Sequence, residues 1–411
     1  MRKTYLTRSI LVATLISTQS FAAGFQINAQ SATGLGRAFA GDAVIADNAS
    51  VMARNPAAMA LFDSTSMSLG IEQVTSFIEV TDVTYVLGQN PEDTDDVGGT
   101  SYVPNFHLIV PVNDQFAWGV NAYSNFGTET DFPTDYSAPL FAGNTKIASY
   151  NLGVAGSYRI NEQWSVGAGL DFIYGQGTFQ RGGLVATGSE TSYMNIDGAD
   201  GWGLGFNLGT VYELDENNRF GLAYHYSPDF TAEDDYGQEV SFSLPDMLEF
   251  SGYHKLEDSK WAVHYSIEYI SWGEFDTVEF SNLSQGSIAD DPSPTNPLGQ
   301  GSSYSSKYDW QDGWHYAIGT TYYLNSDWTL RAGYMYDTSA QDEKTSISVP
   351  DSDRHWFSFG TTYHINTQSN VDFGFTYLMS EDVDVVEGEG TLTGTTRADA
   401  ILIGLQYSRT F

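Results

Sequence analysis

The 411-residue sequence contains no cysteine, which closes off both a disulfide framework and a thiolate metal site. Basic residues are scarce: 17 Lys and Arg stand against 52 Asp and Glu, and a formal charge of −35 argues against nucleic acid as a partner. No G-x-S-x-G nucleophile elbow occurs. The seven histidines, His107, His225, His254, His264, His315, His355 and His364, are scattered without metal spacing. Gly34, Gly36 and Gly41 lack the flanking strand and helix of a dinucleotide fingerprint. The sequence therefore points away from an enzyme, and no metal or cofactor is expected. Long apolar runs are missing too: neither Ile10 to Ile16 nor residues 23–63 reach the roughly 20 residues of a membrane helix.

What the chain has in quantity is aromatics and glycine, 14% and 41 residues, within a composition that is 41% hydrophobic. Residues 1–22 read as a signal peptide, with Arg2, Lys3 and Arg8 ahead of a short apolar core and Ser20-Phe21-Ala22 at the cleavage position. Further on, alternation takes over. From Trp164 one parity reads Trp164, Val166, Ala168, Leu170, Phe172 and Tyr174, the other Ser165, Gly167, Gly169, Asp171, Ile173 and Gly175. The small parity leaves little to fill an interior, whereas an apolar parity tipped with aromatics fits lipid. The pattern recurs from Trp202, Trp261 and Trp314.

Fourteen such strands are expected, beginning near Ser66, Tyr102, Phe116, Thr145, Trp164, Gly201, Arg219, Val240, Trp261, Gln311, Trp328, His355, Val371 and Ala398. Their connections alternate between tight polar turns, such as Asn113-Asp114, Asn161-Glu162 and Asn325-Ser326, and longer acidic or Gly/Ser-rich segments. That sorting places the short turns in the periplasm and the long loops outside. The acids cluster in the loops, including Glu92 to Asp96 and Glu381 to Glu389, and are read as solvated loop tips rather than a metal site. The fold class is thus all-β: a 14-stranded antiparallel transmembrane β-barrel over residues 64–411, with residues 23–63 as an N-terminal plug inside the lumen. The last strand ends on Phe411, interrupted near its end by Arg409, and a terminal aromatic of this kind resembles the signal read by the outer-membrane assembly machinery.

Residues 23–63 also carry a family likeness. Ala23-Gly24-Phe25-Gln26, Gly34-Leu35-Gly36-Arg37-Ala38-Phe39, Ile45-Ala46-Asp47 and Arg54-Asn55-Pro56-Ala57 resemble the start of the FadL-type long-chain fatty acid transporters of the Gram-negative outer membrane. The likeness continues through Tyr212 to Asp215, Thr320 to Tyr323 and Ile347 to Asp353. It implies passive, ligand-gated transport of long-chain fatty acids, with exit sideways through a gap where the third strand kinks. Here Tyr123 to Gly127 occupies that region, and Gly127 is expected to tolerate an unusual backbone. The ligand-binding positions implied are Arg181 and Lys307, which strand parity also turns inward, and Phe25 against the acyl chain. Asn55, Pro56 and Ala57 are the implied pivot of the hatch. Arg37 and Arg54 are expected to pair with inward acids such as Asp171 or Glu268. The alternatives are uptake of other hydrophobic compounds such as aromatic hydrocarbons, or an adhesin or phage-receptor barrel. A monomer in contact with outer-membrane lipid and lipopolysaccharide is expected.

Overall fold

The structure, a computed structural model, describes residues 24–184, 190–283, 303–342 and 344–411. The expected signal segment, residues 1–22, lies outside them. Twenty hydrogen-bonded segments form a single antiparallel sheet. Six of them continue a strand across a local break, so the wall has fourteen strands. The first, Ser66–Tyr85, pairs with the last, Leu392–Thr410, and closes the cylinder. Closure leaves no edge, the condition for a sheet to stand in hydrocarbon.

The alternation read from sequence is the alternation of the wall. On the fifth strand, Trp164–Leu184, Leu170 and Phe172 are 47% and 48% exposed, while Ser165 and Asp171 are buried. Apolar residues thus face away from the bore, opposite to a soluble barrel. Aromatic pairs across neighbouring strands mark one lipid boundary on the short-turn side: Trp164 with Tyr212, Trp261 with Tyr322 and Trp328 with Tyr363, at ring separations of 4.7, 4.5 and 4.9 Å. The turns beyond them repeat one device. Asn113, Asn161 and Asn325 each accept the N–H groups two and three residues on with Oδ1, all within 2.8–2.9 Å. These Asx turns bring the next strand in at its Phe or Trp.

At the opposite boundary a second device recurs. The hydroxyls of Tyr224, Tyr269, Tyr336 and Tyr377 donate to Asp246, Asp312, Asp353 and Asp399 on the partner side of each hairpin. Each of these aspartates also accepts a backbone N–H, from Ser227, Gly273, Ser339 and Ser380 respectively. Several strands then run on above this level. The sixth begins at Glu190 rather than near Gly201, the tenth at Tyr304 rather than near Gln311, and the last at Leu392 rather than near Ala398. Above the lipid both faces meet polar surroundings, so alternation no longer marks the strand.

Residues 24–60 are nearly all buried within the wall. They hold one short helix, Ala32–Leu35, capped by Ser31 Oγ accepting the Gly34 N–H at 2.9 Å; a second, Val51–Arg54; and a 3-10 turn, Pro56–Leu61. Backbone groups of this segment bond to inward side chains around the bore: Ala32 N–H to Gln406, Gly41 N–H to Ser266, Ala43 N–H to Ser251 and Ala49 N–H to Ser68. Inward glycines give it room. A Cβ on Gly167 would stand 2.4 Å from the Ala57 nitrogen and the Pro56 carbonyl carbon, both backbone atoms that cannot rotate away.

Gly167→Val should therefore unseat the inner segment, at a cost of about 1–3 kcal/mol, whereas Gly156→Ala, with nothing nearer than 3.6 Å, should be neutral. Thermal unfolding in detergent, read together with protease cleavage within residues 24–62, compares the two variants.

Candidate functional site

A cavity at the outer end of the wall measures about 690 Å³, within the range of roughly 300–1,000 Å³ usual for ligand sites. Arg181 and Lys307, nominated separately from sequence, both line it, together with Lys344. Arg181 donates to Thr145 Oγ1 at 2.9 Å, to the Gln180 carbonyl at 2.8 Å and to Ser348 Oγ at 3.0 Å, and makes no ion pair among the described residues. Its guanidinium is positioned by neutral oxygens and keeps its charge uncompensated at contact distance. Lys307 arrives differently from the expectation. The backbone turns at Asp309, where φ is 47°, so strand parity does not carry through; Lys307 sits on the separate segment Tyr304–Lys307, opposite Thr277. Lys344 pairs with Asp309. Leu140, Phe141, Met194 and Phe280 supply the apolar part of the lining.

From the cavity a continuous apolar cluster leads inward, joining Met194, Phe280 and Tyr308 to Phe242, Phe230, Phe126 and Phe25. Phe25 is fully buried in an aromatic cage, with ring centroids 4.7 Å from Trp272, 5.1 Å from Phe275, 5.8 Å from Trp310 and 6.0 Å from Phe126. Sequence reasoning missed Trp272, Phe275 and Trp310. They lie in outer loops, where strand parity says nothing, although large aromatics within acidic loops were a signal that they turn inward.

The third strand breaks where the kink was expected. It runs Phe116–Tyr123, resumes as Gly127–Asp131, and keeps its fourth-strand partner on both sides of the break. Its ladder with the second strand, Thr100–Pro111, stops at Phe106↔Ala122. Beyond that point the inner segment takes the second strand's place: the Gly127 N–H donates to the Phe25 carbonyl at 2.8 Å, the Ile27 N–H donates to the Asn125 carbonyl at 2.5 Å, and Gln26 pairs with Phe126. Gly127 is not among the glycines with a left-handed backbone, so the expectation of an unusual conformation there is corrected. Between the pairs Tyr123↔Asn151 and Gly127↔Ala148 the third strand carries one residue more than the fourth, absorbed at Ser124 to Phe126, where Ser149 Oγ accepts the Phe126 N–H at 2.9 Å.

Asn55, Pro56 and Ala57 sit at the other end of the bore, against the fifth and sixth strands. Asn55 Nδ2 donates to the Ala43 carbonyl at 2.8 Å and to the Thr210 carbonyl at 3.1 Å, and its Oδ1 accepts the Ala57 N–H at 2.9 Å. Pro56 opens the 3-10 turn, where its missing N–H leaves no unmet donor. Nearby, Arg54 reaches Glu268 at 3.2 Å and lies 3.9 Å from both Glu249 and Asp42. Arg37 pairs with Asp42 at 2.7 Å and Asp47 at 3.1 Å, and Arg331 of the wall reaches Asp47 at 3.0 Å. The expected partner Glu268 is thus found for Arg54. Asp171 serves neither arginine: it accepts from Tyr123 Oη at 3.3 Å and Asn207 Nδ2 at 2.6 Å, while the inner segment supplies its own acids to Arg37. Burial raises the Asp42 carboxyl; at Asp47 burial acts in the same sense but is outweighed by Arg37 and Arg331, which hold it below the usual value.

The family model described as outer membrane protein transport protein (OMPP1/FadL/TodX) matches residues 13–411. The long-chain fatty acid transport protein of Escherichia coli O6:H1 is 33% identical, with all of both chains covered. Among solved structures, a Pseudomonas aeruginosa FadL homologue superposes with a TM-score of 0.82 at 21% identity, over 95% of this chain and 100% of that one. The Pseudomonas putida toluene transporter TodX gives 0.71 at 19%, over 94% and 100%.

Arg54→Met should strand the carboxylates gathered around it, a loss of about 3–5 kcal/mol where one partner of a buried pair is removed. The expected result is a folded barrel, still heat-modifiable on gels, whose residues 24–62 become open to protease.

Proposed function

Because the chain belongs to the OMPP1/FadL/TodX family of outer membrane transport proteins, we propose that it carries long-chain fatty acids across the outer membrane by passive, ligand-gated diffusion. The observation that carries this reading is the outer cavity, with cations at its rim and an apolar cluster leading from it to Phe25. A carboxylate leaving water needs charge-assisted partners, and Arg181 and Lys307 supply them. The acyl chain then gains about 0.8 kcal/mol for each methylene it buries along the cluster. Aromatic hydrocarbons would use the apolar part but have no use for the cations, so the fatty acid reading is preferred.

Gating follows from the substitution of Phe25 to Ile27 for a wall strand. An acyl chain that enters the aromatic cage displaces the Phe25 ring, and with it the two backbone bonds that seal the break beside Gly127. The gap then opens sideways between the second and third strands, toward lipid. Gln26 Oε1, Asn28 Nδ2 and Gln30 Oε1 are buried with no partner among the described residues, which makes this stretch the cheaper one to move. Asn55 to Ala57, bonded to the wall, form the fixed base about which it swings. The finer partners belong to the same reading: Phe411, whose ring Arg409 overlies at 5.0 Å, as the terminal aromatic for assembly, and a monomer ringed by outer-membrane lipid and lipopolysaccharide.

Arg181→Ala should weaken oleate binding by about one to two powers of ten, measured on purified protein in detergent; unchanged affinity would remove Arg181 from the site. A second test uses the cysteine-free background. Gln26 and Phe126 form a non-hydrogen-bonded antiparallel pair, whose Cα separation of about 4.5 Å suits a disulfide. With both replaced by cysteine, oxidation should abolish oleate uptake in cells lacking their own transporter, and a reductant should restore it. Uptake at the wild-type rate by the oxidised protein would rule out this gate.

A further inference from the structure

We propose that Glu387 is an internal rival of the cargo head group: its carboxylate faces the same cavity as Arg181 and Lys307, and its charge sets how strongly they hold an anion. The inference rests on the reading of that cavity as the fatty acid site. Glu387 lies in the acidic stretch read from sequence as solvated loop tips, yet it is half-buried and lines the cavity. It ends the short segment Val383–Glu387, beyond the bilayer-spanning part of the thirteenth strand, Ser369–Ser380.

Hydrogen bonds fix where the carboxylate points. Glu387 Oε1 accepts the Ile347 N–H at 2.7 Å. Thr345 Oγ1 accepts the Val386 N–H at 3.1 Å and donates to the Asp384 carbonyl at 3.3 Å, which stitches the whole segment to residues 345–348. The neighbour of Ile347 is Ser348, whose Oγ holds Arg181 at 3.0 Å. One strip of backbone therefore presents the acid and the guanidinium to one space. The other titratable or charged groups facing that space are Tyr304 and Lys307 on the outer segment of the tenth strand, Tyr308 next to it, Lys344 beyond the eleventh, and Glu389 on the same hairpin as Glu387. Lys344 is engaged by Asp309; Arg181 and Lys307 are the other cations of the lining, and Arg181 is the one that acts on Glu387.

Burial pushes the Glu387 carboxyl up to about 7, with the Ile347 N–H and Arg181 pulling the other way. The sign of the effect follows. Below that value Glu387 is neutral and leaves both cations to the cargo. Above it the carboxylate takes a share of their field, and affinity for an anion falls.

The test measures binding of oleyl sulfate, whose head group stays charged throughout, to the full-length protein in detergent from about pH 5.5 to about pH 8.5, either side of the Glu387 value. The wild type should lose about tenfold in affinity across that range, corresponding to one unit of coupling. Glu387→Gln, which keeps the size and the acceptor for Ile347, should hold the acid-side affinity throughout. Methyl oleate, which has no charge, should show no trend in either protein. If Glu387→Gln follows the wild-type profile while Arg181→Ala has lost binding, the site stands and the rivalry is wrong. If Arg181→Ala binds as the wild type does, both readings fall.

Discussion

A wall standing in lipid has no water to satisfy a broken ladder, so each backbone N–H and C=O must find a partner within the protein. That constraint governs this molecule at one place above all, the interruption of the third strand. Its ladder with the second strand stops at Ala122, and just beyond it the Asn125 carbonyl and the Gly127 N–H are met by Ile27 and Phe25 of the chain inside the bore. A plug that only filled space could be held anywhere along the wall. One that completes the sheet is tied to the gap it covers, so whatever displaces Phe25 also uncovers an unpaired strand edge. In the gate proposed, binding and opening are a single event because they share these two hydrogen bonds.

The inner segment is accordingly two things in one stretch of sequence. From Arg37 to Ala57 it is fastened by ion pairs and by side-chain bonds to several wall strands, with the arginines placed among acids from both the segment and the wall. From Phe25 to Gln30 it is held by aromatic packing, a few hydrogen bonds and the surrogate pairing, and one side-chain amide atom of each of Gln26, Asn28 and Gln30 has no hydrogen-bond partner among the described residues. Removing one member of a buried ion pair costs several kcal/mol, whereas sliding an aromatic ring from one apolar contact to another costs little when an acyl chain fills the vacated space. In the gate proposed, the fastened part stays in the bore while the looser part moves.

The wall was legible because lipid imposes a strict rule on it. Trp164, Val166, Leu170 and Phe172 announce an outward face whatever the rest of the chain does, and Asn-x-x-aromatic turns mark where strands begin. The rule lapses above the membrane, which is why the starts of the sixth, tenth and last strands were set short. Within the site, Arg181 was reachable by counting along an unbroken strand. Lys307 was not reachable that way, since the left-handed turn at Asp309 resets the count, and it was found by likeness to the family instead. Trp272, Trp310, Lys344 and Glu387 come from loops whose positions depend on contacts between distant hairpins. The pairing of Arg37 was misjudged for a related reason: the segment folds back on itself, so its nearest acids are its own Asp42 and Asp47 rather than Asp171.

The scarcity of positive charge gives the outer cavity its meaning. With three acids for each base over the whole chain, a lysine or arginine placed at random near the outer loops would meet a carboxylate, as Lys344 and Arg397 do. Arg181 is shielded from that fate by Thr145, Ser348 and the Gln180 carbonyl, which satisfy its donors without cancelling its charge. The general negative field of the loops does not keep an anion out, because at physiological salt it decays within about 8 Å. Inside the cavity, where screening is weaker, the local charges decide. On the reading proposed, a molecule with a long apolar tail and one negative end is held at both ends by different means, the tail by area and the head by Arg181 and Lys307, which make no ion pair among the described residues. A purely apolar compound is held by the first alone, and a small anion by the second alone. On the same reading, joint occupancy lets a site with few basic residues select an amphiphile, and the rivalry proposed for Glu387 makes the ionisation of one nearby carboxyl a control on that selection.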